Sequence, residues 1–288
     1  MPSFLTYATL HGTVTIAATV LMGLLIGSFL NVVIHRLPLM MQRDLDLALT
    51  QDNTTAQRYN LITPGSACSH CAKPIAVRHN IPLLSYLLLG GRCAHCRAPI
   101  GRRYPAVEII SALLSVVTVN HFGLGMQTLA ALVLVYFLIA LSGIDAQTQL
   151  LPDMLTLPLL WLGLLVNLND LFVPLREAVI GTMAGYLSLW LIYWLFRLST
   201  GKEGIGYGDF KLFAALGAWL GWAVLPLILL LASCMGAIVG IALVLLKRHT
   251  PDQALPFGPY LAGSSLLMLL YGPDLLRAVQ SLALPLSP

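Results

Sequence analysis

Residues 13–34 read TVTIAATVLMGLLIGSFLNVVI, a stretch of 22 residues without a charged side chain. A helix needs about 20 apolar residues to cross the hydrocarbon core of a bilayer, so this stretch predicts a transmembrane helix. No cleavage signal follows it, and we interpret it as a retained anchor. The whole chain is similar in character, since 58% of its 288 residues are hydrophobic, 10% are charged and its mean hydropathy is +0.83. The composition indicates a polytopic membrane protein and excludes a soluble domain.

Seven further apolar runs predict a bundle of about eight transmembrane helices. In chain order they cover residues 106–121, 126–144, 154–172, 178–196, 210–222, 224–246 and 257–271. Gly217, Gly221 and Pro226 interrupt one long apolar stretch, and it stays open whether residues 210–222 and 224–246 form two separate helices. We therefore expect an all-α polytopic membrane protein in which one long polar segment separates the first two helices.

Basic residues are concentrated in that polar segment. Nine of the 16 Lys and Arg residues lie between His35 and Tyr104: Arg36, Arg43, Arg58, Lys73, Arg78, Arg92, Arg97, Arg102 and Arg103. Loops rich in Lys and Arg stay in the cytoplasm. The segment is therefore predicted to be cytoplasmic, as are, by alternation, residues 145–153, 198–209 and 247–255. The net charge of +4 is a topology signal, and no basic patch interleaved with aromatic residues indicates nucleic-acid binding.

Four cysteines of the polar segment form two C-x-x-C pairs with 21 residues between them. They are Cys68-Ser69-His70-Cys71 and Cys93-Ala94-His95-Cys96. Two such pairs at about this separation are typical of a tetrahedral thiolate site for zinc, with the histidine inside each pair as an alternative ligand. Two disulfides are the other interpretation, but they need an oxidising compartment. The predicted cytoplasmic location therefore favours a small zinc-binding domain between the first and second helices.

Acidic residues at membrane depth are candidates for function, because an ionised group is costly there. Between residues 104 and 246 the acids are Glu108, Asp145, Asp153, Asp170, Glu177, Glu203 and Asp209. Asp170 and Glu177 fall at an outward interface, and Glu203 falls in a polar loop, where each is most simply solvated.

Asp145 and Asp209 differ from the other acids, because both lie at the same predicted cytoplasmic boundary on different helices. Two carboxylates that meet there share one proton, since like charges a few ångströms apart cannot both ionise. The ionised one takes a proton from water while the protonated one polarises a carbonyl, which is peptide hydrolysis by an aspartyl dyad. Alternatively, Asp209 caps the N-terminus of its helix. Asp153, eight residues after Asp145, is a second capping candidate.

Several motifs in the expected order resemble one family. Gly206-Tyr207-Gly208-Asp209 resembles the GxGD signature of membrane aspartyl proteases, and the whole chain resembles the bacterial type IV prepilin peptidase family, also called leader peptidase/N-methyltransferase. The similarity runs from about Gly27 to Tyr260. Besides the cysteine pairs and the aspartates, it includes GSFLNVVIHRLP at 27–38, NIPLLSY at 80–86, RYPAVE at 103–108 and Lys211.

The resemblance implies a bifunctional enzyme of the bacterial inner membrane. Such an enzyme cleaves the basic leader from prepilins and pseudopilins at the cytoplasmic face, and then methylates the new N-terminal amine with S-adenosylmethionine. By motif, the catalytic pair is Asp145 and Asp209, with Asp153 as the less favoured candidate for the first role. The implied metal ligands are Cys68, Cys71, Cys93 and Cys96. A closed four-thiolate site has no open position for water, so the zinc is expected to be structural.

The methyl-donor site is not assigned by any motif, because no Rossmann-type fingerprint is present. Glu108 either forms a buried ion pair with Arg102 or Arg103, or holds the free ammonium of the substrate. We expect a first transmembrane helix in residues 1–35, a zinc-binding cytoplasmic domain in 36–105 and a peptidase domain in 106–288.

Other functions compete with this interpretation: a stand-alone methyltransferase, a peptidase without methyltransferase activity, and a membrane metal sensor or transporter. A transporter places carboxylates near the membrane midplane, whereas these are predicted at the cytoplasmic rim.

Overall fold

The computed structural model describes residues 3–50, 59–68, 70–202, 204, 206–246 and 255–283. Within these residues the chain forms nine α-helices: α1 (Ser3–Thr50), α2 (Leu84–Leu88), α3 (Arg103–Phe122), α4 (Met126–Thr148), α5 (Asp153–Val166), α6 (Leu175–Thr200), α7 (Tyr207–Leu220), α8 (Leu225–Leu245) and α9 (Gly258–Ala283). Every predicted apolar run lies in or overlaps one of the eight long helices. The prediction of an all-α fold is confirmed.

Five of the described helices are long and apolar enough to cross a membrane: α1, over Gly12–Leu49, and α3, α4, α6 and α8. Helices α5 and α7 have only 14 residues each. At 1.5 Å per residue each is about 21 Å long, shorter than a hydrocarbon core of about 30 Å. The chain is thus a multi-pass membrane protein, and the count of about eight spans stays a prediction.

The chain divides into two compact units, Met1–Thr128 and Leu129–Pro288. The first unit contains α1, the cysteine pairs, α2 and α3, and the second contains most of α4 and the helices that follow it. All four paired cysteines belong to the first unit. Asp145 and Asp209 both belong to the second, so each candidate site lies inside one unit.

In the first unit α1 packs closely along α3 because two glycines of α1 face it. A Cβ added at Gly23 would lie 2.6 Å from the Cα of Ala112, and one added at Gly27 would lie 2.8 Å from the Cα of Glu108. Small residues at such contacts let membrane helices approach each other closely. The glycines of α1 therefore hold Glu108 of α3 against the first helix.

Helix α7 is the centre of the second unit. All of its residues from Asp209 to Leu220 are buried except Lys211, and α5 and α6 both pack against it. A helix that is apolar on every side is stable only when it is surrounded in this way. Its amino-terminal end carries Asp209, so the packing of α7 determines where that carboxylate lies.

Two polar side chains anchor the other end of α7. The amide nitrogen of Asn167 donates hydrogen bonds to the carbonyl oxygens of Ala218 and Trp219, at 2.9 and 3.1 Å. The indole nitrogen of Trp219 donates to the carbonyl oxygen of Leu159 at 2.8 Å. Buried polar groups are costly unless they are paired, so these bonds fix α7 against the segment that ends α5.

The apolar stretch for which the sequence left one helix or two open forms two separate helices. Helix α7 ends at Leu220, Gly221 has φ +76°, and α8 begins at Leu225 with Pro226 in its first turn. Glycine adopts a positive φ without the steric cost that a Cβ brings. Proline is tolerated in the first turn of a helix, where its missing N–H has no intrahelical partner.

Candidate active site and metal centre

Asp209 lies in the first turn of α7, three residues after the N-cap residue Gly206. Its Oδ2 atom accepts a hydrogen bond from the backbone N–H of Gly206 at 3.2 Å. Its Oδ1 atom is buried and has no hydrogen-bond partner. Asp209 is therefore not the N-cap residue that the alternative interpretation proposed. One of its carboxylate oxygens still bonds to the start of the helix, while the other is available for chemistry.

Gly208, the residue before this aspartate, lies where there is no room for a side chain. A Cβ added there would lie 2.7 Å from the Cβ of Leu151, in the loop that follows α4. Real Cβ atoms do not approach that closely, so a larger residue would push the start of α7 away from this loop. The absence of a side chain at residue 208 therefore lets the loop after α4 and the start of α7 approach each other closely.

Asp145 lies near the carboxyl end of α4, and its side chain is 5% exposed. Its Oδ2 atom accepts a hydrogen bond from the backbone N–H of Gly258, the first residue of α9, at 2.8 Å. A Cβ added at Gly258 would lie 2.8 Å from that same oxygen atom. The carboxylate therefore occupies the space that a side chain at residue 258 would need.

The two aspartates interact electrostatically. Burial, and next the negative charge on Asp145, raise the pKa of Asp209 to about 7, while the hydrogen bond from Gly206 acts in the opposite direction. An ordinary aspartate titrates near 4. The structure thus brings Asp145 and Asp209, from two different helices, close enough for the charge on one to disfavour a charge on the other.

Asp153 has a different environment from the other two aspartates. Its side chain is 55% exposed, and its two carboxylate oxygens accept hydrogen bonds from the Nζ atom of Lys211 at 2.6 and 2.7 Å. Both of its carboxylate oxygens thus already have Lys211 as a partner, whereas Asp145 is buried. Asp153 is therefore less suited than Asp145 to share a proton with Asp209.

The two cysteine pairs form loops of the same shape. In each loop the N–H of the first cysteine donates to the carbonyl oxygen five residues later: Cys68 to Lys73 at 3.0 Å and Cys93 to Ala98 at 2.8 Å. The residue after the second cysteine has a positive φ in both loops, +54° at Ala72 and +60° at Arg97. The matched backbones present all four sulfur atoms to one point, within 4.8 Å of one another.

The sulfur geometry fits one tetrahedral metal ion. The Sγ atoms of Cys68 and Cys96 are 3.8 Å apart. Four sulfurs at about 2.3 Å from a central zinc are separated by about 3.8 Å. All five cysteines of the chain are free thiols, and the fifth, Cys234, lies on α8 in the other unit. The four clustered cysteines could therefore hold one metal ion.

Backbone amides favour the thiolate form of the first cysteine in each pair. Hydrogen bonds from the amides of Cys71 and His70 lower the pKa of Cys68 to about 6, and the amides of Cys96 and His95 lower the pKa of Cys93. At Cys96 an amide hydrogen bond from Ala98 lowers the pKa, but burial and the neighbouring thiols outweigh it and raise the value to about 11. Four crowded thiols without a cation compete for protons, and a bound metal ion removes that competition.

The role of Gly258 could not be inferred from the sequence. It lies in the segment Pro256-Phe257-Gly258-Pro259, which could have been noticed as a glycine between two prolines at the start of an apolar run. Nothing in that pattern relates it to Asp145, 113 residues earlier in the chain. Every residue except proline has a backbone N–H, so the sequence does not show which of them bonds to Asp145. This contact is seen only in the structure.

Two family models match the chain in succession. The bacterial peptidase A24 N-terminal domain matches residues 21–122, which include the four clustered cysteines. The type IV leader peptidase family matches residues 132–241, which include Asp145 and Asp209.

The chain is also similar to curated proteins, each named prepilin leader peptidase/N-methyltransferase. It is 55% identical to the protein from Aeromonas salmonicida over 264 residues, covering 89% of this chain and 91% of the relative. It is 50% identical to the protein from Pseudomonas aeruginosa over 279 residues, covering 95% and 96%. With the protein from Burkholderia pseudomallei it shares 50% identity over 273 residues, covering 92% and 88%. No solved structure matches the chain.

Proposed function

Because the chain belongs to the type IV leader peptidase family, we propose that it cleaves the leader from prepilins and pseudopilins and methylates the new N-terminal amine with S-adenosylmethionine. Family membership makes the chain an enzyme, a peptidase with methyltransferase activity. A metal sensor or transporter, which the cysteines and acids alone also allowed, is thereby set aside. We propose the bacterial inner membrane as its location.

The buried pair Asp145 and Asp209 is the observation that carries the peptidase mechanism. We propose that Asp209 holds the proton that the pair shares, because burial and the charge on Asp145 raise its pKa to about 7, and that Asp145, whose Oδ2 atom accepts the amide of Gly258, is the ionised partner. Asp145 takes a proton from the attacking water, and Asp209 donates its proton to the carbonyl oxygen of the scissile bond. Collapse of the tetrahedral intermediate returns a proton to Asp209, breaks the C–N bond and lets the amine leave with the proton from Asp145.

We propose that this site faces the cytoplasm. Support comes from the nine basic residues between residues 36 and 103, which favour a cytoplasmic location for the segment that contains the cysteines. Alternation of the predicted helices then places the end of α4 and the start of α7 on the same side. A leader peptide that has not crossed the membrane would meet the aspartates there.

Mass spectrometry of a processed peptide tests both activities and the orientation. A prepilin-like peptide is incubated with inverted inner-membrane vesicles that contain the protein, with and without S-adenosylmethionine. We expect loss of the leader in both reactions and a gain of one methyl group, about 14 Da, only when the methyl donor is present. Sealed right-side-out vesicles are the matched control and should leave the added peptide intact.

Each unexpected outcome has a distinct meaning. An uncleaved peptide in inverted vesicles would contradict the proposed peptidase. Cleavage without the added methyl group would leave the alternative of a peptidase that does not methylate. Processing by right-side-out vesicles alone would place the active site on the opposite face.

We propose that the four clustered cysteines bind one structural zinc ion and that residues 36–105 form a cytoplasmic domain around it, between the first helix (1–35) and the peptidase domain (106–288). A closed set of four thiolates leaves no vacant position at the metal, so the zinc would hold the domain together without activating water. For a small polar domain with little apolar core, the free energy of zinc binding contributes to folding.

Replacement of one ligand tests this metal site. Cys68→Ser is expected to reduce the zinc content from about one ion per chain to a small fraction of that, and to make the segment between α1 and α3 more sensitive to protease. Cys234→Ser is the matched control, because this cysteine is exposed on α8 and outside the cluster. Metal analysis by mass spectrometry measures the change. Zinc-free wild-type protein, purified without chelator, would contradict the proposal.

A further inference from the structure

The first unit contains a cavity of about 540 Å³ between α1, the cysteine loops and the start of α3. Ligand pockets typically have volumes of roughly 300–1,000 Å³. Its wall includes Asn31 and Arg36 of α1, Leu83 just before α2, and Glu108 of α3. The peptidase mechanism proposed above uses none of these residues, so the cavity is available for a second ligand.

Glu108 is a buried carboxylate whose hydrogen-bond partners are neutral. Its side chain is 7% exposed. One oxygen, Oε2, accepts the backbone N–H of Leu83 at 2.8 Å, and the hydroxyl of Ser28 is a further hydrogen-bond partner. An ionised carboxylate removed from water is costly unless a positive charge compensates for it. A cationic ligand in the cavity would supply that charge.

The backbone that donates to Glu108 is strained. Leu83 has φ +57°, a left-handed conformation that a residue with a Cβ rarely adopts. Such a conformation persists only where the surrounding contacts hold it. The hydrogen bond to Glu108 is one of these contacts, and it ties the loop before α2 to the carboxylate.

Asn31 contributes a second acceptor to the cavity wall, and its side chain is 3% exposed. Its amide nitrogen donates to the carbonyl oxygens of Gly27 and Tyr104, at 3.3 and 2.9 Å. These bonds use both N–H groups and fix the orientation of the amide. The Oδ1 atom is consequently left buried without a partner, which is unfavourable. A donor is missing at this position.

Arg36, a cationic residue of α1 on this wall, already has hydrogen-bond partners. Its guanidinium group donates to the backbone carbonyl oxygens of Asn60 and Gly65, at 3.0 and 3.2 Å. These bonds tie the loop after α1 back to the helix. Arg36 therefore has a structural role and is not the donor that Asn31 Oδ1 lacks.

We propose that this cavity binds a primary ammonium group, with the Glu108 carboxylate as its counter-ion and Asn31 Oδ1 as a second acceptor. An ammonium group carries one positive charge and three N–H donors. One of its donors can pair with the buried carboxylate, and its other donors are available to the unpartnered carbonyl oxygen on the same cavity wall. Hydrogen bonds between ionised partners are the strong ones, so this contact would contribute to both affinity and orientation.

The inference rests on the proposed methyltransferase function, because two ligands of that reaction carry a primary ammonium group. One is the amino-acid end of S-adenosylmethionine, and the other is the N-terminus that leader cleavage releases. Both present the same chemistry to Glu108 and Asn31. Binding measurements with each ligand distinguish the two sources.

The test compares the binding affinities of free-amine ligands with those of their N-acetylated derivatives. Isothermal titration calorimetry measures them on the full-length protein in detergent. The ligands are S-adenosylhomocysteine, which cannot donate a methyl group, and a peptide that begins at the mature pilin N-terminus. We expect the wild-type protein to bind at least one of these free-amine ligands about tenfold or more tightly than its acetylated derivative. Glu108→Gln is expected to weaken that binding by about 10- to 100-fold and to remove the preference.

Two further variants complete the design. Glu108→Asp keeps the negative charge but withdraws the carboxylate by one methylene group, and an intermediate loss of affinity is expected. Asp44→Asn removes an exposed acid of α1 outside the cavity and should leave the preference unchanged. Zinc content and the protease sensitivity of the segment between α1 and α3 report whether the first unit is folded in each variant.

Each outcome decides a different point. A loss confined to the nucleoside ligand assigns the site to the methyl donor, and a loss confined to the peptide assigns it to the pilin amine. An unchanged preference in both Glu108 variants, or a wild type without any preference for a free amine, would overturn the inference. A wild type that prefers free amines but never methylates its product would instead refute the proposed function and leave the ammonium site standing.

Discussion

Asp209→Asn is expected to lower the rate of leader cleavage by about 100- to 10,000-fold, because one proton donor of the proposed pair is lost. The substitution is close to isosteric. The asparagine side-chain oxygen can still accept the N–H of Gly206, so the start of α7 should remain intact. Peptide cleavage by purified protein, measured by mass spectrometry, gives the rate. Methylation of a peptide that is already cleaved should persist, since it does not need the aspartates.

Asp153→Asn is the matched control for that loss. It removes the same charge from an aspartate that is 55% exposed and bound to Lys211. Exposed ion pairs contribute about 0–1 kcal/mol to stability, so cleavage should stay within a few-fold of wild type. If Asp153→Asn abolished cleavage while Asp145→Asn did not, Asp153 and not Asp145 would be the partner of Asp209.

The double variant Asp145→Asn/Asp209→Asn makes the test stricter. Residues that act as one catalytic unit show effects that do not add, because losing either one already disables the unit. The double variant should therefore be about as inactive as each single variant. Rate losses that multiply would indicate two independent roles, and near wild-type cleavage by Asp209→Asn would leave capping as the only role of that residue.

The helices were predictable because the bilayer imposes a simple requirement on sequence. Each long apolar run, such as residues 126–144, corresponds to a helix, here α4. The break at Gly221 stayed open at the level of sequence, since a glycine permits a positive φ but does not require it. Helix lengths were less predictable: α1 continues to Thr50, far past its apolar run, because charged residues can also be helical.

The candidate sites were predictable only where residues with characteristic side chains lie a few positions apart in the sequence. The C-x-x-C pairs and the GxGD segment are signals of this kind, and the structure places the four sulfurs together. The hydrogen bond from Gly258 to Asp145 and the unpartnered Oδ1 of Asn31 could not be predicted, because each depends on how separate helices pack. Sequence spacing carries no information about such long-range contacts.

Gly217→Ala is expected to destabilise the protein strongly, because this residue is where α7 touches α6. A Cβ added at Gly217 would collide with the carbonyl group of Gly181 on α6, and it would lie 3.0 Å from the backbone N of Thr182. These are backbone atoms, which cannot rotate away as a side chain can. Overpacking typically costs about 1–3 kcal/mol, and the upper end is expected here. A loss of about 3 kcal/mol lowers the unfolding midpoint of a chain of this size by roughly 6–12 °C.

Gly263→Ala provides the matched comparison, since it makes the same change inside α9. A Cβ there would meet only the Cε atom of Met235, at 3.5 Å, which is an ordinary contact. Alanine favours a helix by about 1 kcal/mol over glycine, so this variant should be as stable as wild type or slightly more so. Thermal unfolding in detergent measures both variants, and the Gly217→Ala protein should also lose cleavage because α7 carries Asp209. Equal midpoints for the two variants would mean that α6 and α7 do not approach each other as closely as Gly181 and Gly217 allow.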